Sequence, residues 1–258
     1  MPDRRIPLPG LHNLRDLGGL GPVAPGRLWR ADDPQGIGAD GVATLRRQGL
    51  GTVIDLREPA EAGPARTLYP TPLRYHNAPL FGGLNLAAPE IVEAPDPLLA
   101  LYLRALEDSA AHFASALRLV AEAPAGAVLV HCTVGKDRTG MMVALMLRLA
   151  GVPDAQIVAD YAETGRHIGP VLERLRARAV AHQWDLALLS RYWRSEAETM
   201  HGFLAALDDR HGGAEGYLSD AGLTPSEQRA LRLRLTRPHD ETSAAAPASD
   251  APLFQPET

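Results

Sequence analysis

The segment "HCTVGKDRTG" (131–140) contains both the only cysteine of the chain, Cys132, and its only lysine, Lys136. The apolar run "AVLVH" (127–131) precedes it and predicts a buried central strand. The segment "MMVALMLRLAG" (141–151) follows and is apolar nearly all round, which predicts a buried helix. The two singletons therefore lie where a buried strand turns into a buried helix.

Further strands and helices are predicted on both sides of this junction. The apolar or alternating stretches that predict strands are 26–32, 52–57, 73–80 and 127–131. Helical patterns lie between and after them, over 40–50, 97–122 and 223–235. Such alternation predicts an α/β fold with a central, mostly parallel β-sheet flanked by helices. In these sheets ligands bind beyond the carboxyl ends of the strands, which is where residues 131–140 fall.

Length, composition and net charge indicate which class of protein this is. The chain has 258 residues, 45% hydrophobic and 22% charged, as is typical of a soluble protein with one substantial core. A net charge of −5 without a basic stripe argues against a nucleic-acid partner. We find no signal peptide and no apolar run that predicts membrane insertion, so we expect a cytoplasmic protein. Export by a route that reads no N-terminal signal stays open, as does the oligomeric state.

The strand-to-helix junction at 131–140 has the residues expected of a phosphate-binding site with a nucleophile. Backbone N–H groups over 133–138 can form an anion-binding nest at the helix N-terminus, and Gly135 and Gly140 allow the backbone to curl. That field favours the thiolate of Cys132, the nucleophilic form. Six positions later Arg138 can grip two phosphate oxygens with its planar fork. A thiolate in a phosphate nest predicts displacement through a cysteinyl-phosphate.

Such a reaction needs an acid for the leaving oxygen and a base for the water that follows. Asp137 is the first candidate because it lies on the same loop. Asp55, at the end of a predicted strand, is the second. Asp16 and Asp32 are weaker candidates.

The neighbours of the cysteine receive supporting roles. Thr133, Val134, Gly135 and Lys136 are predicted to bind substrate, mostly through backbone groups. Lys136 would add positive charge at the mouth of the nest. Thr139 can donate its hydroxyl to the sulfur, and His131 can order the loop or influence the thiol. Nine scattered histidines and one cysteine show no metal-ligand spacing, so no metal or other cofactor is expected.

Two features allow more than one interpretation. A lone cysteine is often simply a small buried hydrophobe, and only the combination of strand, glycines, Arg138 and helix argues otherwise. Residues 153–200 predict helices rich in arginine and aromatic residues. They are either a solvated helical hairpin or a lid over an anionic-ligand site.

Several motifs together resemble one family. The segment "HCTVGKDRTG" is similar to the signature loop of cysteine-dependent protein tyrosine phosphatases. Four further motifs narrow the resemblance to the bacterial tyrosine phosphatases with a "GKDRTG" loop, of the mycobacterial type B. These motifs are "NLRDLGG" (13–19), "LWRAD" (28–32), "VIDLR" (53–57) and "GGAEGYLSDAGLT" (212–224).

The resemblance implies a cysteine-phosphatase fold over 1–236 that includes a helical lid within 153–200. The composition of the remaining stretch, 237–258, predicts a disordered tail. It implies that Asp137 is the general acid and that phosphotyrosine, and also phosphoserine or phosphothreonine, is hydrolysed in protein substrates. Lys136 matches a position seen in phosphoinositide phosphatases, so a lipid phosphatase is one alternative. A phosphate-binding module without catalysis is another, and a sulfurtransferase is disfavoured by the Arg-Thr-Gly continuation.

Overall fold

A computed structural model describes residues 3–81, 85 and 87–238 of the chain. Its sheet has five strands in the order β1-β2-β5-β3-β4. Their bounds are β1 Arg15–Asp16, β2 Leu28–Ala31, β3 Leu50–Asp55, β4 Arg74–Asn77 and β5 Ala127–His131. Only β1 is antiparallel to its neighbour. The predicted α/β fold with a mostly parallel sheet is confirmed.

The register of the sheet aligns the strand ends. His131 at the end of β5 pairs with Ala31 of β2 on one side and with Asp55 of β3 on the other. Asp55 in turn pairs with Asn77 of β4. Four carboxyl ends thus meet at one edge of the sheet, where parallel sheets place their ligand sites.

Helices cover both faces of the sheet. Within the described residues they are α1 Gly38–Arg47, α2 Pro59–Ala62, α3 Pro89–Val92, α4 Pro97–Asp108, α5 Ala110–Ala121, α6 Asp137–Leu149, α7 Asp154–Glu163, α8 Gly169–Ala181, α9 Leu186–Arg191, α10 Ala197–His211, α11 Ala214–Asp220 and α12 Pro225–Thr236. Short 3₁₀ turns lie at Pro34–Ile37, Ala65–Leu68 and Thr164–Arg166.

Helix α6 forms the centre of the larger hydrophobic core. Ten of its 13 residues are buried, as its all-round apolar sequence predicts. It packs with α5, α7, α11 and α12. A smaller core on the other face includes Val42 and Leu45 of α1, together with Val53 and Leu129 from the sheet.

The bounds of several elements differ from the sequence prediction. Helix α6 begins at Asp137, four residues before the predicted start, because the residues after Gly135 already take up helical geometry. Strand β1 lies outside the four stretches that predict strands. Two residues are too few for an alternating pattern, and β1 exists only because it pairs with β2. Helix α12 begins at Pro225, within the predicted range 223–235, and has a capping box between Thr224 and Glu227.

The region 153–200 divides into buried and exposed parts. Helix α7 buries Ile157 and Tyr161, and α10 buries Met200 and Phe203, so both belong to the core. In α8 only two residues are buried, and in α9 none. Helices α8 and α9 are thus the peripheral part of this region.

The predicted tail lies mostly beyond the described part of the chain, since residues 239–258 are outside it. None of the helices in the described part combines the length and hydrophobicity that a bilayer crossing requires.

Candidate active site

Residues 132–138, here called the signature loop, comprise the connection from β5 to α6 and the first two residues of α6, at the carboxyl edge of the sheet. Gly135 has a φ of 69°, a left-handed conformation that favours glycine. A Cβ at this position would lie 2.1 Å from the carbonyl oxygen of Ala31. The loop can therefore pass this close to the end of β2 only with glycine at position 135.

The loop forms one wall of a cavity of about 420 Å³. Cys132, Asp137 and Arg138 all line it, so the three residues predicted to perform the chemistry face one space. Cys132 is only 2% exposed, and the cavity is its access to solvent. The apolar and aromatic part of the lining comes from Phe81, Leu98, Leu101 and Tyr192.

Arg138 is held from one side by a carboxylate that the sequence did not reveal. Its Nη1 and Nη2 donate to Oε2 and Oε1 of Glu61 over 2.6 and 2.9 Å. Thr133 Oγ1 bridges the pair, donating to Glu61 Oε1 at 3.0 Å and accepting from Arg138 Nη2 at 3.3 Å. Partial burial would raise the pKa of Glu61, but the bonds from Arg138 lower it to about 2. The guanidinium also lies 5.5 Å from the ring centroid of Phe81.

Asp137 is held by a phenol and an ammonium group. Tyr102 donates its hydroxyl to Asp137 Oδ1 at 2.7 Å, and Lys136 Nζ lies 3.1 Å from the same oxygen. Burial and the nearby Asp137 charge raise the pKa of Tyr102 well above its ordinary value, so the phenol stays a donor. The Tyr161 hydroxyl is 2.8 Å from that of Tyr102, and its ring packs on Gly140, where a Cβ would approach within 3.0 Å.

Lys136 is not at the mouth of the nest, where the sequence placed it. Its residue is 1% exposed, and Nζ donates to the carbonyl oxygens of Tyr192 and, at 2.6 Å, Arg194. Both carbonyls follow α9 in the chain. The ammonium therefore joins Asp137 to the end of the exposed helices α8 and α9.

The other predicted acids point away from the cavity. Asp55 accepts hydrogen bonds from the backbone and side chain of Arg57 and from Tyr75, at 2.7–3.0 Å. Burial opposes ionisation of Asp55, but the bonds from Arg57 lower its pKa. Asp32 accepts two backbone N–H groups, and burial raises its pKa. Asp16 accepts the backbone N–H groups of Gly18 and Gly26. None of the three acids lines the cavity.

The remaining predicted residues, His131 and Thr139, do not line the cavity. His131 is buried, and its Nδ1 lies 3.2 Å from the carbonyl oxygen of Cys132. Burial lowers the pKa of His131, which favours a neutral ring. The Thr139 hydroxyl is buried and forms no hydrogen bond within the described residues, so the expected bond to the sulfur is absent here. Among those residues, no group of three or more His, Cys, Asp or Glu could hold a metal ion.

Comparison with known proteins gives the family. A family model described as "Tyrosine phosphatase family" matches residues 6–237. The chain belongs to the tyrosine phosphatase family. It is therefore a phosphatase enzyme.

Curated relatives agree with this assignment. A tyrosine-protein phosphatase of Nostoc commune is 34% identical over 218 residues, covering 81% of this chain and 71% of the relative. The triple specificity protein phosphatase PtpB of Mycobacterium tuberculosis is 31% identical over 270 residues, covering 87% and 96%. The crystal structure of Pseudomonas aeruginosa TpbA aligns with a TM-score of 0.36 and 19% identity, covering 73% of this phosphatase and 92% of that chain.

Several residues around the site of this phosphatase escaped the sequence analysis. Among those that contact the signature loop or its side chains are Asn13, Arg30, Glu61, Phe81, Tyr102 and Tyr192. Most come from elements distant in sequence from the loop. Only Asn13 and Arg30 carried a signal, because they lie within the motifs "NLRDLGG" and "LWRAD".

Proposed function

We propose that this phosphatase hydrolyses phosphotyrosine in proteins through a phosphocysteine formed on Cys132. The observation that supports this most is that Cys132, Asp137 and Arg138 line one cavity whose walls are otherwise largely apolar. An apolar wall suits the ring of an aryl phosphate, while the loop and Arg138 suit its dianion.

In the first step the Cys132 thiolate attacks phosphorus. The S–P bond forms, the bond from phosphorus to the ester oxygen breaks, and Asp137 delivers its proton to that oxygen. In the second step water attacks phosphorus and the S–P bond breaks. Asp137 takes a proton from the water, and inorganic phosphate leaves.

The contacts from Tyr102 and Lys136 engage one of the two carboxylate oxygens of Asp137. Tyr102 and Lys136 each contact Oδ1, which leaves Oδ2 to carry the proton toward the cavity. Arg138 and the backbone N–H groups of the signature loop stabilise charge on the transferred oxygens in both steps.

Helices α8 and α9 act as a lid in this proposal. They bury few residues, so opening them costs little, and Tyr192 at their end lines the cavity. Lys136 holds the closed form through the carbonyls of Tyr192 and Arg194.

Substrate breadth is part of the proposal. The name of the mycobacterial relative describes three specificities, and a cavity of about 420 Å³ can also admit a smaller phosphoserine or phosphothreonine side chain. In the closed arrangement Lys136 faces lid carbonyls instead of the cavity, which favours proteins over phosphoinositides as substrates.

A substrate panel tests the proposal. The purified enzyme is assayed on matched phosphotyrosine, phosphoserine and phosphothreonine peptides and on soluble phosphoinositides, with Cys132→Ser as control. We expect the highest kcat/KM on phosphotyrosine and no turnover by the variant. Higher kcat/KM on phosphoinositides would reassign the enzyme to lipids. Turnover by Cys132→Ser would remove the covalent mechanism.

A further inference from the structure

Three consecutive carbonyl groups of the signature loop accept hydrogen bonds from residues outside the loop. The carbonyl of Thr133 accepts from the backbone N–H of Asp33 at 3.2 Å. The carbonyls of Val134 and Gly135 accept from Nδ2 of Asn13 at 3.1 and 3.0 Å. The Gly135 carbonyl also accepts from Nη2 of Arg30 at 2.7 Å.

These bonds determine where the loop N–H groups point. A trans peptide is planar, and its C=O and N–H bonds lie on opposite sides. Fixing the carbonyls of Val134 and Gly135 on one side therefore turns the N–H groups of Gly135 and Lys136 to the other. A row of N–H groups turned the same way forms an anion-binding nest.

The two donors are themselves buried and fixed. Asn13 is 1% exposed, and its Oδ1 accepts from Nη1 of Arg15, which orients the amide so that Nδ2 faces the loop. Arg30 is also 1% exposed, and its Nη1 donates to Oδ2 of Asp160 at 2.6 Å. Burial and the neighbouring Arg15 lower the pKa of Arg30 to about 10, so it stays a cation at neutral pH.

We propose that Asn13 and Arg30 are positioning residues that form the phosphate-binding nest by fixing the carbonyls of Val134 and Gly135. They touch neither substrate nor the reacting atoms. The inference rests on the proposed function, because it assumes that the nest receives the phosphoryl group. It assigns a role to the motifs "NLRDLGG" and "LWRAD", which the reaction itself does not use.

The cluster around Asp160 provides a matched control. Arg4 donates to Oδ1 of Asp160 at 2.9 Å but to no carbonyl of the signature loop. Arg4→Gln therefore removes an arginine from the same carboxylate without freeing the loop. Asn13→Ala and Arg30→Gln remove the donors to the loop, and the near-isosteric Asn13→Asp replaces the donor NH₂ with an oxygen that repels both carbonyls.

The test measures the affinity for inorganic phosphate by calorimetry in the Cys132→Ser background, together with kcat, KM and Tm in the active enzyme. We expect Asn13→Ala, Asn13→Asp and Arg30→Gln to weaken phosphate binding about tenfold or more, as a lost buried hydrogen bond implies. KM should rise in parallel. Arg4→Gln should lower Tm but leave phosphate affinity unchanged.

The experiments distinguish a failure of the positioning role from a failure of the proposed function. If Asn13→Asp and Asn13→Ala bind phosphate as Arg4→Gln does, the positioning role is wrong while the phosphatase assignment stands. If the unmodified enzyme turns over no phosphoester, the proposed function itself fails. If Asn13→Ala and Arg30→Gln do not fold, the phosphate affinity of Asn13→Asp is compared with that of Arg4→Gln at matched Tm. Weaker binding by Asn13→Asp then supports the positioning role, and equal binding overturns it. If Asn13→Asp also does not fold, these residues serve folding and the proposal is overturned.

Discussion

The carboxylate of Glu61 and the guanidinium of Arg138 form two parallel hydrogen bonds of 2.6 and 2.9 Å beside the cavity. Nη2 also donates to Thr133 Oγ1 at 3.3 Å, so the fork leaves the second N–H of Nη1 and the Nε–H for another anion. Glu61 therefore orients the group that we propose to grip phosphate.

Glu61→Gln tests this orientation. A glutamine keeps the size of the side chain but replaces one acceptor oxygen with a donor, so Arg138 loses its fixed plane. We expect kcat/KM on an aryl phosphate to fall about tenfold. Glu227→Gln is the matched control, since it breaks the remote ion pair with Arg118 and should leave kcat/KM unchanged. Unchanged or higher activity of Glu61→Gln would mean that Glu61 competes with phosphate instead of positioning Arg138.

Asp137→Asn tests the general acid. An amide cannot supply a proton, so esters with poor leaving groups should slow about 10²-fold or more, while p-nitrophenyl phosphate slows much less. Tyr102→Phe removes a bond to Oδ1 and should have a smaller effect with the same dependence on leaving group. A plot of log kcat/KM against leaving-group pKa measures both. If Asp55→Asn steepens that plot and Asp137→Asn does not, we have named the wrong acid.

Lys136→Met tests the link to the lid. It removes the ammonium that donates to the carbonyls of Tyr192 and Arg194. We expect faster hydrogen exchange and faster tryptic cleavage across α8 and α9, since few buried residues hold these helices. Helix α12 should exchange as before. Unchanged protection of α8 and α9 would show that Lys136 does not hold the lid.

Asp160→Asn tests the buried charge cluster. Removing the carboxylate leaves Arg15 and Arg30 buried without their counterion, which costs about 3–5 kcal/mol. Burial would raise the pKa of Asp160, but Arg15 and Arg30 lower it well below its ordinary 3.8. Its contribution to stability is therefore present above that ordinary pKa and is lost as pH falls through the lowered value. Urea unfolding at several pH values should show that the free energy of unfolding falls less steeply with decreasing pH in Asp160→Asn than in the unmodified protein. An equally steep fall would contradict this.

Sequence reasoning found the residues that are contiguous in the chain. Cys132, Asp137 and Arg138 fall within seven positions, so one strand-to-helix junction brings them together whatever the rest of the fold does. The four strands β2 to β5 also followed from their apolar or alternating patterns, whereas β1 did not. The predicted placement of Lys136 was wrong, because its surroundings depend on how a segment nearly 60 residues later folds back over it.

The supporting residues could not be predicted for the same reason. Glu61 reaches Arg138 across 77 positions, and Asn13 reaches Gly135 across 122. Nothing local in "EPAEAG" or "LHNLRD" specifies a partner, since each contact depends on the strand order. Asp55 was a reasonable candidate acid at a strand end, but Arg57, two residues away, already engages its carboxylate.

The central claim, a covalent bond between Cys132 and phosphorus, is tested most directly by trapping. The enzyme is mixed with p-nitrophenyl phosphate, quenched in acid within the first turnovers and digested for mass spectrometry. We expect one added phosphoryl group on the sulfur of Cys132, and none in Cys132→Ser. Turnover without any phosphorylated Cys132 peptide, or a phosphoryl group on another residue, would contradict it.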